Sequence, residues 1–309
     1  MKSAKEISSF SRINRVKPLT NVCFSAIMVL AALLTVLPIL LVFTVSISSG
    51  ASITQKGFSY IPAEVSFTAY QTLFKTGSQL VDSYLVTIAS TLLSTFLGLL
   101  IMSMLAFVLA QERFPCKGVY TFLLFFTTLF SGGLVPSYII NVRYLHLYDS
   151  FWILVLPSML SAFNVFILRT FINTTIPTAL FDAAKIDGAN DFTVYFRIVL
   201  PLFKAGLATI GLFCVVGKWN EWFTGMLYIE NPKLVPLQTV LTRIQQKIDF
   251  IKNNSSYAST PEGAEMLRTM PTEPTRMAIV VISTLPILFA YPFFQRFFIN
   301  GLTIGSVKG

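Results

Sequence analysis

The chain has 309 residues, of which 54% are hydrophobic and only 12% charged, with 29 phenylalanines and a formal net charge of +9. A soluble domain of this length needs far more charge to cover its surface, so a purely soluble fold is excluded. The basic excess does not mark a nucleic-acid binder, because it falls in clusters between long uncharged stretches.

A basic arm with Lys2, Lys5, Arg12, Arg15 and Lys17 comes first. It precedes Pro18 to Gln55, which contain no charge, and Val22 to Ile47 form a near-continuous apolar run. A hydrocarbon core of roughly 30 Å takes roughly 20 helical residues, so this run spans a membrane. It is too long for the apolar region of a cleaved signal peptide, and no small-residue cleavage site follows it cleanly.

Further spans are predicted at Ser83–Ala110, Val119–Ile140, Phe151–Ile172, Leu202–Ile229 and Met277–Phe298. The fold class is therefore all-α and polytopic, with about six transmembrane helices. No period-2 alternation supports a barrel. With the N-terminal arm cytoplasmic, the inner segments also collect Arg113, Lys117, Arg169, Lys185, Arg197, Lys204, Arg296 and Lys308. The acids on that side are Glu6, Glu112, Asp182, Asp187 and Asp191, so both termini are expected inside.

Two segments, 48–82 and 230–276, are expected outside. The first has turn-forming Gly57 and Pro62; in the second, Pro236–Phe250 has helical spacing suited to a membrane surface, and a polar loop follows. Cys23, Cys116 and Cys214 all fall in, or on the inner side of, the predicted spans, so no disulfide is expected. His146 sits in the short outer loop from Arg143 to Asp149 and reads as a surface residue.

The most informative segment lies between the fourth and fifth spans. Pro177 suits the first turn of a short helix whose apolar side is Leu180, Phe181 and Ala184. Gly188 can end that helix in a left-handed conformation. Asn190 or Asp191 can then cap a second helix with Phe192, Tyr195, Phe196 and Val199 on its apolar side, and Pro201 opens the next span. On these grounds the segment is either an ordinary connection or a helix–turn–helix whose small alanines admit a partner.

The run Asp182-Ala183-Ala184-Lys185-Ile186-Asp187-Gly188-Ala189, followed by Ile198, Leu200 and Pro201, resembles the Glu-Ala-Ala loop of ABC importer permeases. It departs from that pattern at Asp182, where the family usually has Glu. The resemblance implies a type I importer permease fold and a coupling role for Asp182, Ala183, Ala184, Lys185, Asp187, Gly188 and Ala189. In the family, this loop seats in a groove of the ATPase subunit.

Phe130-Ser131-Gly132-Gly133-Leu134-Val135-Pro136-Ser137-Tyr138 is similar to a stretch of carbohydrate-uptake permeases of the multiple-sugar type. Its glycines and Pro136 should break or kink the third span, either as a simple kink or beside a polar path. Lys218-Trp219-Asn220-Glu221-Trp222 resembles the Trp-Asn-Glu element of the same permeases. Lys218 and Glu221 can pair on one helix face. This cluster either lines a pathway or anchors at the outer interface. Pro136, Tyr138, Asn164, Lys218, Trp219, Asn220 and Glu221 are the candidate translocation-path residues. The last ten residues look like the tail of maltose-type permeases, which implies a contact through Asn300, Gly301 and Lys308, although three glycines also suit a frayed end.

The implied organisation is a basic arm over 1–20, a first helix with its outer loop over 21–82, a permease core over 83–298 with its coupling loop at 176–201, and a tail over 299–309. The implied assembly has a second permease, two ATPase subunits and an extracytoplasmic solute-binding protein. Together they would carry an oligosaccharide or complex glycan across the plasma membrane. No phosphate-loop pattern occurs, because Gly217-Lys218 runs into Trp219, so ATP and magnesium fall to the partner ATPase. No catalytic residue, cofactor site or metal site is expected. The alternatives are an ABC permease for a non-sugar solute, an ion-driven carrier and a membrane enzyme. The carrier would call for paired repeats and a carboxylate near mid-bilayer, and the enzyme for a catalytic constellation.

Overall fold

The computed structural model describes residues 18–75, 78–254, 260–263 and 272–305. Among them the regular structure is helical, and the only strand-like pairing is an isolated antiparallel bridge between Ser48 and Val65. The chain divides into two compact units, Met1–Thr72 with Pro271–Val281 and Leu73–Met270 with Ile282–Gly309.

In the first unit, helix α1 runs over Pro18–Ser46 with Pro38 inside it. Its apolar side chains from Leu19 to Leu40, among them Val22, Phe24, Ile27, Leu30 and Leu34, are exposed, and burial begins only in the last turn, at Val45. Such a surface belongs in lipid or against another helix. The following segment holds two short helices, α2 (Gly50–Lys56) and α3 (Thr68–Lys75), where turns were the main expectation. Ser49 caps α2 by accepting from the Ser52 amide, and Gly57 at φ 75° ends it. Tyr70 and Ser46 share a hydroxyl hydrogen bond of 2.8 Å, tying α3 to the end of α1.

The second unit is organised around α4, a 33-residue helix over Ser78–Ala110. It packs against α7 (Ala162–Thr175) and α10 (Lys204–Trp219). Met102, Ala106, Leu109, Val165, Leu168, Ile172, Val199, Phe203 and Ile210 form its larger core. A smaller core holds Ile153, Leu154, Tyr228, Ile229 and Val235.

Two helices, Leu19–Ser46 and Gln79–Ala110, are long and apolar enough to cross a membrane unbroken. Three more candidates are bent pairs, so the number is two, or up to five if each pair is one span. The third predicted span is not continuous. Helix α5 (Lys117–Leu129) meets α6 (Leu134–Ile139) and the π turn Ile140–Tyr144 at 113°, through Gly133 at φ 85°. Only a residue without Cβ takes that angle cheaply. The fourth candidate joins two 3₁₀ turns within Phe151–Ser158 to α7 at 48°. The fifth predicted span also breaks: α10 stops at Trp219, and a separate α11 follows over Phe223–Tyr228. The helix expected at Pro236–Phe250 is present as α12, Leu237–Asn253, with Leu237 and Thr239 buried. The C-terminal helix α13 covers Glu273–Gly305 and contains Pro286 and Pro292.

Candidate functional site

The loop singled out between the fourth and fifth spans is two helices with a defined turn. Pro177 stands one residue before the first helix, at φ −61° and ψ 138°, and α8 runs over Thr178–Ile186. The Gly188 amide donates to the Lys185 carbonyl at 3.1 Å, and the Ala189 amide donates to the Ala184 carbonyl at 2.9 Å. This crossed pair is the Schellman ending of a helix, and it needs a left-handed residue at Gly188, whose φ is 76°. No atom lies within 4 Å of where a Cβ on Gly188 would sit. The constraint on Gly188 within the chain is therefore backbone conformation rather than room.

Asn190 caps the second helix α9 (Asp191–Val194), its side-chain oxygen accepting from the Thr193 amide at 2.8 Å. A π turn follows over Tyr195–Val199. Pro201 accounts for it: proline has no amide for the Arg197 carbonyl, and its ring crowds the preceding turn. At Phe203 the chain bends by 80° into α10.

The underside of this loop is fixed. Tyr195 is buried, shares a 2.6 Å hydroxyl hydrogen bond with Ser103 of α4, and lies 5.7 Å from the Phe107 ring. Ala184 is buried, and Phe181 and Ala189 pack on the same core. The apolar side expected for the second helix is only half right, since Phe192 and Phe196 are exposed while Tyr195 and Val199 are buried. Phe196 falls within the π turn, where α-helical spacing no longer holds, whereas Phe192 precedes it. The upper side presents Asp182, Ala183, Lys185, Ile186, Asp187 and Gly188 to solvent, with Ile186 86% exposed. Beside it is a cavity of about 410 Å³ lined by Glu112, Arg113, Lys117, Asp182 and Lys185 among others. None of these five is ion-paired among the described residues. Among the described residues the charged tip and its cleft thus have no ion-pair partner, and Lys117 donates to the Gln111 carbonyl at 3.1 Å.

The candidate path residues fall in three places. Tyr138 stacks on Tyr228 with ring centroids 5.4 Å apart, near an exposed Pro136. Asn164 turns its amide nitrogen toward Cys214 at 3.8 Å, between α7 and α10. At the end of α10, Lys218 and Glu221 approach to 3.7 Å, and Glu221 also accepts from the Thr224 amide at 2.6 Å, which caps α11. Trp219 is buried and its indole donates to the Ser283 carbonyl of α13 at 2.9 Å. Asn220 is exposed and bonds back to Val216. Of the tail residues, Asn300 and Gly301 lie within the backbone of α13, and Lys308 lies outside the described residues.

Sequence reasoning missed an outer staple. Asp149, at a left-handed φ of 52°, accepts from the amides of Glu230 at 2.9 Å and Asn231 at 2.8 Å. The Tyr148 hydroxyl donates to the Glu230 carboxylate at 2.6 Å. That bond, above all, pushes the Tyr148 hydroxyl up to about 12. The Asp149 amide donates to the Tyr228 carbonyl, closing the joint. Nothing in local spacing joins segments some 80 residues apart.

These features define a polytopic helical membrane protein with a helix–turn–helix displayed from its core. No family model matches the chain. Over 278 residues it is 36% identical to the polygalacturonan/rhamnogalacturonan transport system permease protein YtcP of Bacillus subtilis (strain 168), covering 90% of this chain and 94% of that protein. It is likewise 36% identical to the protein LplC of the same organism over 277 residues, 89% and 90% of the two chains. The crystal structure of a bacterial ABC transporter involved in the import of the acidic polysaccharide alginate superposes with a TM-score of 0.76 at 29% identity, covering 91% of this chain and 96% of that one. The chain belongs to the carbohydrate ABC transporter permeases. It is an integral protein of the cell membrane, and its relatives are transport proteins rather than enzymes.

Proposed function

We propose that this chain is one transmembrane subunit of an ATP-driven importer of oligosaccharides. Fragments of polygalacturonan or rhamnogalacturonan are the favoured cargo. The substrate class comes from the relative YtcP and accords with the acidic polysaccharide whose import involves the structural neighbour. One observation carries the mechanism: the loop is held to α4 underneath, by Phe181 of the Schellman-terminated helix α8 on Phe107 and by Tyr195 of the π turn on Ser103, yet α8 shows an exposed Ile186 between Lys185 and Asp187 on top. A rigid lever whose tip has no ion pair among the described residues suits docking on an ATPase.

In this reading Asp182, Ala183, Ala184, Lys185, Asp187, Gly188 and Ala189 form the coupling surface at 176–201. ATP and magnesium are bound by the partner ATPase, two copies of which pair with this chain and a second, related permease. An extracytoplasmic binding protein delivers the sugar. Movement of the ATPase displaces α8, and the Tyr195–Ser103 and Phe107–Phe181 contacts pass that displacement to α4. Six spans are proposed, namely α1, α4, the first two bent pairs, α10 with α11, and α13, with both termini cytoplasmic. The basic arm at 1–20 and the tail at 299–309, with Asn300, Gly301 and Lys308, then face the ATPases.

Purification of the tagged chain from its native membrane, with identification of what accompanies it, tests this reading. A second permease and an ATPase are expected. Recovery of the chain alone, from a preparation still active in uptake, would contradict it.

A further inference from the structure

Helix α4 carries hydroxyls on one face: Ser83, Thr87, Ser90, Thr91, Ser94 and Thr95, at the i, i+4, i+7, i+8, i+11 and i+12 positions. All six are buried. The opposite face, with Leu85, Leu92 and Phe96, is exposed and apolar. A dry protein core favours the reverse arrangement, because a buried polar group is costly unless bonded. In a helix, Ser and Thr usually meet that need by bonding back to the preceding turn. Thr87, Ser90 and Ser94 do so, to the carbonyls of Ser83, Thr87 and Thr91. The hydroxyl oxygens of Ser83, Thr91 and Thr95 have no hydrogen-bond partner among the described residues, although these residues are only 0%, 3% and 8% exposed.

Three unbonded buried hydroxyls on one stripe call for an explanation. We infer that the Ser83–Thr95 face of α4 lines the sugar path, and that these hydroxyls meet their partners on the carbohydrate when the helices around α4 part. The inference rests on the importer reading above. Hydroxyls both donate and accept, so they match the groups of a sugar in any register. They are uncharged, and so accept neutral and acidic residues alike, which suits passage rather than tight capture. From Ser83 to Thr95 the stripe extends about 18 Å at 1.5 Å per residue, more than half of a hydrocarbon core of roughly 30 Å. In this structure the stripe is packed shut, and its outer end is latched by the Leu237 amide, which donates to the Thr87 hydroxyl at 2.9 Å. Small polar residues also serve as close-packing glue between membrane helices, and that is the competing explanation.

The test uses the complete importer in vesicles, with short oligogalacturonides as the transported probe and Cys23, Cys116 and Cys214 replaced. Thr91→Cys and Thr95→Cys are exposed to a small water-soluble methanethiosulfonate, with and without ATP and binding protein. Path lining predicts modification at least about tenfold faster during turnover, slowed by the oligogalacturonide. Thr91→Val keeps the shape and removes the hydroxyl. It should raise the KM of uptake about three- to tenfold, as expected for one lost hydrogen bond, with assembled complex recovered at wild-type yield. Equal, slow modification in both conditions together with an unchanged KM would overturn the inference. So would loss of assembly by Thr91→Val, with those thiols unreactive in the assembled cysteine variants, which is the signature of packing glue. A wild-type complex that takes up no oligogalacturonide with ATP would instead sink the proposed cargo, and one that takes up no oligosaccharide at all would sink the importer reading itself.

Discussion

The loop at 177–203 and the joint between 145–150 and 228–234 solve the same problem differently. The first turns on one left-handed residue, Gly188, and the second on two, His146 and Asp149. At the joint the polar groups are used up inside the chain: Asp149 takes two amides and Tyr148 holds Glu230. At the loop the internal bonds fix only the underside, through Tyr195, while Asp182, Lys185 and Ile186 remain open. A staple satisfies itself, whereas a docking surface leaves its best groups unused.

The sharpest way to break that contrast is Gly188→Val. A β-branched residue in the left-handed region costs about 1–2 kcal/mol or more, and nothing within the chain obstructs the side chain itself. ATP-driven uptake should fall by at least about tenfold. Gly188→Asn, which tolerates that conformation better, should retain part of it. Equal uptake by the Val variant and wild type would remove the loop from coupling.

Next in size is Asp149→Ala, which strips two charge-assisted bonds at the joint. It should lower stability by about 3 kcal/mol, read as a fall in Tm, and should disturb uptake less than Gly188→Val does. The reverse order would mean that the joint, not the loop, governs transport.

Tyr195→Phe should cost about 1 kcal/mol, because Ser103 keeps its bond to the Leu99 carbonyl. The contrast predicts that its uptake loss exceeds its stability loss, since the lever loses its grip on α4. Measuring Tm and uptake on the same preparation checks this.

The smallest effect concerns Tyr148. Its hydroxyl is held above the ordinary tyrosine value of about 10, so the bond to Glu230 contributes fully below that pH and is lost as pH rises through about 12. An absorbance titration of wild type minus Tyr148→Phe should show one late-ionising phenol, and a midpoint near 10 would contradict the hydrogen bond.

The loop was legible in the sequence because its signals are local. Pro177, Gly188 and Asn190 act within a few residues of themselves, and the structure uses each as a stop or cap. The break of the third span at Gly132-Gly133 was legible for the same reason. The π turn was not, because the extra residue it takes leaves no pattern of its own, so the exposure of Phe196 within it does not follow from helical spacing. The staple was not either, since Asp149 reaches partners about 80 positions away. The stripe on α4 stood in the sequence as Ser and Thr at helical spacing. Its meaning depends on burial and missing partners, which only packing reveals.

The most direct test of the docking surface is a single cysteine at Ile186, in a chain lacking Cys23, Cys116 and Cys214, joined to a short photoactivated cross-linker within the native membrane. Capture of an ATP-hydrolysing subunit, at a yield that changes when nucleotide is added, is the result expected of a coupling tip. Capture of lipid or of another permease alone, from membranes still importing sugar, would contradict it.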